Sequence, residues 1–293
     1  MKTSPVFRTH CDHCERRFYL FPFFEAMKDA MLLRSALVPY VYTAARQAFD
    51  TGVAPVHPLH YHWPQLSEAY EFEHQYMFGA DVLAAPVATP VDNRTALASK
   101  PVWVPPGTWV LWDGSRLFTG PAVVQLQVTR AEIPLLVRQG AAVPLRDPLA
   151  ASFAPPTSPL VWVVPVGPTV QPAPSQLSVV YEDDGLSEAY LQQPFSAAAS
   201  LCVVQQSRNV TLELSAAPAD GRLMDVQLRG VLASVAAVTC NGQPVPPSAG
   251  RPGYELTGLS STSWLLAPNH TLTLRPASAP QLCSVVFMIN ELL

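Results

Sequence analysis

The chain has 293 residues and a formal net charge of −4, without the basic excess typical of nucleic-acid-binding proteins. Charged residues make up only 14% of it and prolines number 31, which favours strands and loops over surface helices. No apolar run reaches the ~18 residues of a membrane span, and the start MKTSPVFRTH lacks the apolar stretch of a secretory signal. We therefore expect a soluble chain with no nucleic-acid partner, no membrane span and no signal peptide.

The first predicted element is a short strand at residues 5–7, followed by a polar loop at residues 9–17. Arg8 and His10 are two residues apart, so on extended backbone their side chains point the same way. They would lie near the carboxyl end of the strand, where barrel enzymes hold their sites.

A long helix is predicted next. Apolar residues recur with an approximate 3.6-residue period from Phe24 to Asp50, and Gly52 is placed where a helix usually ends. We expect Pro39 to kink this helix, because proline removes a backbone donor. Strand, loop and helix make one βα unit, which needs neighbours to bury its strand.

Short β-rich runs divided by Gly, Pro and Asp turns follow up to about Pro144, at the spacing of a sandwich. Residues 146–176 contain eight prolines around one apolar run and indicate a boundary. A second set of β-rich runs then includes Asp184-Gly185 and Asn241-Gly242, both typical of hairpin turns. The predicted domains are 1–52, 53–147 and 148–293.

Several polar and aromatic clusters have more than one interpretation. The single motif Cys11-Asp12-His13-Cys14 suggests zinc, but there is no second C-x2-C. Metal binding or polar surface contacts both fit the histidines of HPLHYHWP, and His60 and His62 would share a strand face. The run Glu182-Asp183-Asp184 fits a carboxylate site, a calcium loop or, preferably, a turn. Trp103, Trp109 and Trp112 fit either a sugar-stacking platform or, preferably, the core. We expect no metal and no cofactor.

Three N-x-S/T sequons, at Asn93, Asn209 and Asn269, suggest a secretory parent protein without establishing its location.

Eight stretches occur in an order that resembles glycoside hydrolase family 31, the α-glucosidase and α-xylosidase family. They are FRTH (7–10), RR (16–17), LLRSALVPYVYTAARQAFDTG (32–52), HPLHYHWP (57–64), EHQYMFGADVLAAPV (73–87), VWVPPGTWVLWDG (102–114), IPLLVRQGAAVPL (133–145) and YEDDGLSEAY (181–190). The resemblance implies that FRTH follows the last barrel strand, that His10 contacts sugar hydroxyls and that Arg8 shapes the same pocket. Phe18-Tyr19 replaces the family's usual Glu-Pro-Trp, which suggests a divergent branch.

The resemblance also implies two catalytic aspartates on earlier barrel strands, since retaining enzymes need two carboxyl groups ~5–5.5 Å apart. No stretch matches the family's W-x-D-M-N-E-like motif; Trp112-Asp113-Gly114 shares only a Trp and an Asp with it. We therefore expect no catalytic residue in this chain.

The predicted fold is mainly β, with two antiparallel β-sandwich domains preceded by the last βα unit of a (β/α)8 barrel. The predicted function is that of the C-terminal part of a family 31 hydrolase, inactive alone, whose substrate is an oligosaccharide or α-glycoside once a barrel is completed. The alternative is a non-catalytic module that binds carbohydrate or supports another domain.

Overall fold

The computed structural model describes residue 20, residues 23–149, 160–167, 176–206, 209–215 and 224–230, and the segments 235–240, 243–244, 255–256, 262–267, 271–275 and 283–289. The strand expected at residues 5–7 lies outside the described residues.

The helical region contains two helices, α1 (Phe24–Ala36) and α2 (Val38–Thr51), instead of one kinked helix. The division falls at Leu37, whose ψ of 2° departs from helical geometry. Pro39 lies in the first turn of α2. Backbone N–H groups in a first turn have no intrahelical acceptor, so proline removes no helical hydrogen bond there. Gly52 ends α2 in the left-handed conformation, with φ 77°, and its N–H bonds to the Ala48 carbonyl.

Strands make up most of the remaining described chain. The first six strands are β1 (Val56–Pro58), β2 (Tyr76–Phe78), β3 (Val82–Ala84), β4 (Ala98–Leu111), β5 (Leu117–Val128) and β6 (Leu135–Arg138), with a short helix α3 (Glu68–Glu71) between β1 and β2. They form one antiparallel sheet in the order β1-β2-β3-β6-β4-β5.

Twelve further strands form two more six-stranded sheets. They are β7 (Val143–Arg146), β8 (Leu160–Val166), β9 (Gln176–Tyr181), β10 (Ala197–Gln206), β11 (Asn209–Ser215), β12 (Met224–Gly230), β13 (Val235–Cys240), β14 (Gln243–Pro244), β15 (Glu255–Leu256), β16 (Thr262–Ala267), β17 (Thr271–Arg275) and β18 (Cys283–Ile289). The second sheet has the order β15-β16-β17-β12-β8-β7, and the third β14-β13-β18-β11-β10-β9.

The prediction of a mainly β chain with antiparallel sheets is confirmed, with one local exception. Strands β8 and β12 pair in parallel. The chain between them forms β9, β10 and β11 of the third sheet. It then returns to the second sheet, where β12 runs beside β8 in the same direction as β8. Strand β7 pairs with β8, so the chain enters the second sheet before the proline-rich stretch.

Two apolar clusters position the helices. The first lies within residues 59–136 and contains Trp103 and Trp109, each at most 1% exposed. The second contains Tyr40 of α2, Val137 of β6 and Val163 of β8. Since this second cluster draws on the helices and on the first and second sheets, it holds α2 where these elements meet.

No helix among the described residues is both long and apolar enough to cross a membrane.

Candidate functional site

The residues that the resemblance assigns to sugar contact, Arg8 and His10, lie outside the described residues, as do Cys11, His13 and Cys14. Their proposed roles stay predictions. The described part that follows them along the chain is the helix pair, and α2 is attached to the β-sheets by buried polar side chains.

Tyr40 attaches α2 to the first sheet. Its hydroxyl donates to the Phe78 carbonyl at 2.8 Å and accepts from the Asp81 N–H at 3.1 Å. Gly79 lies under the ring with φ +64°, and a Cβ there would overlap the Tyr40 hydroxyl. Burial, followed by the nearby Asp81 carboxylate, raises the pKa of Tyr40, so its hydroxyl acts as a neutral hydrogen-bonding group.

Thr43, one turn further along α2, attaches the helix to the third sheet. Its buried hydroxyl donates to the Pro39 carbonyl at 2.8 Å and accepts from the Tyr181 N–H at 2.9 Å. Tyr181 is the last residue of β9, so this bond occupies a backbone donor at the end of an edge strand.

Arg46 attaches α2 to the segment that follows β9. Its side chain is 5% exposed and bonds to the Asp50 carboxylate at 2.9 Å. The guanidinium also donates to the Tyr181 hydroxyl at 3.1 Å and to the carbonyls of Tyr190 and Gln193 at 3.0 and 2.8 Å. The planar guanidinium fork suits this arrangement of acceptors better than an ammonium group would. The sequence analysis did not identify Arg46 as a buried polar residue. Its position among the periodic apolar residues of the helix was the signal that could have indicated this.

The acidic run at residues 182–184 lies in the segment between β9 and β10, and its aspartates bond to nearby backbone and hydroxyl groups. The Asp183 carboxylate accepts hydrogen bonds from the Tyr42 hydroxyl at 2.7 Å, the Tyr181 hydroxyl at 3.0 Å and the Gly185 N–H at 2.9 Å. Asp184 accepts from the N–H groups of the residues two and three ahead of it. Hydrogen bonds from the side chain and backbone of Ser187, followed by the Leu186 N–H, lower the pKa of Asp184 to about 2. The tight hairpin turn expected at Asp184-Gly185 is wrong, because residues 182–196 lie between the end of β9 and the start of β10 and include a short 3-10 helix at Ala189–Leu191.

The histidines of HPLHYHWP do not lie together on a strand. Residues 59–61 form a 3-10 turn, so the alternation expected for His60 and His62 is wrong. The turn instead brings His57 Nδ1 to 2.8 Å from His62 Nε2, while His60 stacks on Tyr70 with ring centroids 5.0 Å apart. Burial lowers the pKa of His57, and burial, His57 and Arg138 lower that of His62. When both rings are neutral, one ring nitrogen donates its N–H to the unprotonated nitrogen of the other ring. When both rings are protonated, each nitrogen carries an N–H and no acceptor is left between them.

Within the described ranges, no three or more His, Cys, Asp or Glu side chains are grouped as a metal site would require.

The tryptophans take the core position that the sequence favours. Trp103 and Trp109 are buried in the first sheet, and both pack edge-on against Trp63 at centroid distances of 5.7 and 6.3 Å. Trp112 packs against the second apolar cluster, with the Arg229 guanidinium 4.9 Å from its ring. The three therefore do not form an exposed sugar-stacking platform.

The sequons at Asn93 and Asn209 are both exposed, and Asn269 lies outside the described residues.

Comparisons with known proteins find relatives that match part of this chain. Residues 52–143 match the family model "Glycosyl hydrolase family 31 C-terminal domain". The chain is 31% identical over 194 residues to a 1,6-alpha-glucosyltransferase of Sporosarcina globispora, covering 64% of this chain and 14% of the relative. It is 29% identical over 190 residues to an alpha-xylosidase of Saccharolobus solfataricus, covering 64% of this chain and 24% of the relative.

A solved structure shares the fold. The glucose complex of a Flavobacterium johnsoniae GH31 dextranase superimposes with a TM-score of 0.71 at 18% identity, over 91% of this chain and 33% of that one. The chain thus matches only a minor fraction of each relative's length. Residues 52–143 are the C-terminal domain of glycosyl hydrolase family 31, and the chain corresponds to the C-terminal portion of that family's proteins.

Proposed function

We propose that this chain supplies the C-terminal part of a retaining α-glycosidase of the α-glucosidase or α-xylosidase type. Residues 1–52 end the (β/α)8 barrel, and residues 53–147 and 148–293 form the proximal and distal β domains. Arg8 and His10 contact the sugar in the subsite where the bond breaks. An α-xylosidase and α-glucosidases among the matched relatives support this reaction class.

The observation that carries the proposal is the attachment of α2. Tyr40, Thr43 and Arg46 each bond from one helix to a different partner segment: the β2–β3 turn, the end of β9 and the segment after β9. A helix held at three successive turns by buried polar bonds has little freedom to rotate or slide. We infer that this attachment fixes the last helix of the barrel, and with it the position of the segment bearing Arg8 and His10.

The sandwich arrangement of the distal part is supported by its connectivity. The chain passes from β8 in the second sheet through three strands of the third and returns to β12 beside β8. Such alternation between two sheets is typical of two-layer β folds. We infer that the second and third sheets face each other.

We propose further that the 293-residue chain alone does not hydrolyse α-glycosides. A retaining mechanism needs a nucleophile and an acid/base carboxyl ~5–5.5 Å apart, and acid/base catalysis alone contributes typically ~10²–10⁴ in rate. Hydrogen bonds from Ser187 and from the Leu186 N–H lower the pKa of Asp184 to about 2, so this carboxylate is ionised and is not a proton donor.

The test is release of p-nitrophenol from p-nitrophenyl α-glucoside and α-xyloside by the purified chain, compared with a His10→Ala variant. We expect no turnover above buffer from either. Turnover that falls in the variant would contradict the proposal, and Asp12, Glu15 and Asp183 would be the first carboxylates to substitute. Sequencing the transcript upstream of Met1 tests whether the chain belongs to a longer hydrolase. A coding extension with a barrel and two suitable aspartates supports this.

The second candidate function is a non-catalytic module that binds carbohydrate or supports another domain. It is favoured by the first apolar cluster. The buried members of this cluster and the partly buried residues packed against them all lie between Leu59 and Leu136. A core of this kind needs no contribution from a barrel. An upstream sequence without a barrel would favour this candidate.

A further inference from the structure

Strand β5 ends the first sheet and has one neighbour. The sheet order places β4 on one side of it and no described strand on the other. Its 12 residues make it far longer than the mean strand of about 5–6 residues. A long edge strand leaves a row of backbone N–H and C=O groups without partners, and another strand can pair with them.

The direction of these backbone groups follows from the pairing with β4. Trp103 lies opposite Val123, and both its N–H and its C=O bond to the Gln75 side chain, at 2.8 and 2.9 Å. The Trp103–Val123 pair is therefore one of the pairs in an antiparallel ladder that exchange no hydrogen bonds. Val123 then turns its own N–H and C=O away from β4. Pro101, which has no N–H, lies opposite Gln125 in the next such pair, and this agrees with the alternation.

The same alternation continues to Gln127. Val123, Gln125 and Gln127 thus direct their N–H and C=O groups out of the sheet edge. Within the described ranges, no backbone or side-chain hydrogen bond reaches these main-chain groups. The row ends at Thr129, whose N–H donates to the Glu132 carboxylate and whose carbonyl accepts from the Glu132 N–H.

The side chains of this edge strand carry no charge. Residues 117–128 contain neither an acidic nor a basic residue, and Pro121 is the only proline among them. Natural edge strands commonly use charged residues and prolines to avoid pairing with other chains. The sequence from Val124 to Val128, VQLQV, is β-prone and uncharged, as is typical of segments that pair with other strands.

The sequence VQLQV reads the same in both directions, which points to a second copy of this chain as the partner. In two β5 strands that run antiparallel about Leu126, Leu126 lies opposite its equivalent, and each Val124 lies opposite Val128 of the other copy. These three residues pack on the first apolar cluster, so apolar side chains meet apolar ones. On the solvent side, where both glutamines are exposed, Gln125 lies opposite Gln127. A two-fold axis relates the copies, as in most homodimers.

We propose that the β5 edge is a self-association surface through which two copies of this chain pair antiparallel about Leu126. Gln125 of one copy exchanges two backbone hydrogen bonds with Gln127 of the other, and the two-fold axis repeats them. The first sheets of both copies then form one continuous sheet. The contact involves far fewer residues per copy than the roughly 20–30 of a standard interface, so the dimer is weak, with a Kd on the order of 0.1 mM. The surface does not depend on the proposed catalytic role.

The experiment is sedimentation equilibrium of the full 293-residue chain at concentrations from about 10 μM to about 1 mM. We expect the average mass to rise with concentration and to approach that of two chains. Gln125→Lys/Gln127→Lys places like charges opposite each other and is expected to weaken association about tenfold. Gln125→Lys/Gln127→Glu changes the same positions but places a lysine opposite a glutamate, and it is expected to associate at least as well as the unaltered chain.

The matched control is Gln65→Lys/Gln192→Lys, which makes the same charge change at two exposed glutamines outside β5. Thermal melts of dilute samples identify any variant that does not fold. The proposal is overturned if the unaltered chain stays monomeric over this range, or if the double-lysine variant of β5 associates as strongly as the control. It is also overturned if the lysine–glutamate variant associates no better than the double-lysine variant, because pairing about Leu126 brings opposite charges together.

Discussion

Replacing Tyr40 with phenylalanine tests whether α2 is attached to the first sheet as described. The change removes one oxygen and keeps the ring, which is 8% exposed and packs against Phe78 at a centroid distance of 5.8 Å. Apolar packing is therefore retained, and the measured effect reports the two hydrogen bonds of the hydroxyl.

The two bonds do not contribute equally. The Phe78 carbonyl belongs to a strand that is paired on both sides. Because a carbonyl has two lone pairs, losing the bond from Tyr40 costs little free energy. The Asp81 N–H loses its acceptor, the Tyr40 oxygen 3.1 Å away, and Asp81 itself is only 5% exposed. A buried donor deprived of its partner costs about 1–3 kcal/mol. We expect Tyr40→Phe to lower the free energy of unfolding by about 2 kcal/mol, or the Tm by roughly 4–8 °C.

Urea unfolding followed by circular dichroism measures the change, with an unchanged slope as the condition for comparing midpoints. Tyr61→Phe is the matched control, because the Tyr61 side chain is exposed and surface changes usually stay within about 0.5 kcal/mol. If Tyr40→Phe unfolds at the same urea concentration as this control, the hydroxyl does not secure the helix and the attachment argument fails.

Three further perturbations test the packing and the histidine pair. Trp109→Ala empties a fully buried site and should cost about 3–5 kcal/mol in urea unfolding; a cost under 1 kcal/mol would contradict the described core. The folded-state pKa values of His57 and His62 lie below 6.5, so the unfolded chain takes up protons first and stability should fall as the pH drops below 6.5. His62→Gln should flatten that decline in Tm, and an equally steep decline would exclude the pair as its source. Gly79→Ala places a Cβ against the Tyr40 hydroxyl at φ +64° and should cost at least about 1 kcal/mol; an unchanged Tm would refute that contact.

The positions of many strands along the chain were predictable because strands and turns are encoded locally. The run Pro101 to Trp112 lies almost wholly in β4, whose residues alternate in part between exposed and buried. The Asn241-Gly242 turn signal separates β13 from β14, which pair directly through Cys240 and Gln243. Period and turn chemistry depend on neighbours in the sequence, so a single chain is enough to detect them.

The contacts that attach α2 were not predictable in the same way. Arg46 meets partners 135 to 147 residues away, and no periodicity relates such positions. The His57–His62 contact depends on a 3-10 turn inside a run that alternates like a strand, and the tertiary setting overrode the local pattern. The parallel pairing of β8 with β12 depends on the route of the chain through the third sheet, which local signals do not describe.

The two helices differ in a way that bears on the proposed function. Only Ala30 and Ala36 of α1 are buried, and its Met27, Met31 and Leu32 stay partly exposed. Helix α2 instead buries polar side chains as well as apolar ones. Apolar side chains that stay half exposed stabilise a helix less than buried ones, so α2 is the more firmly secured of the two helices. A barrel packed on the open face of α1 would therefore be connected to the β-sheets chiefly through α2, and weakening α2 should disturb the barrel before it unfolds the sheets.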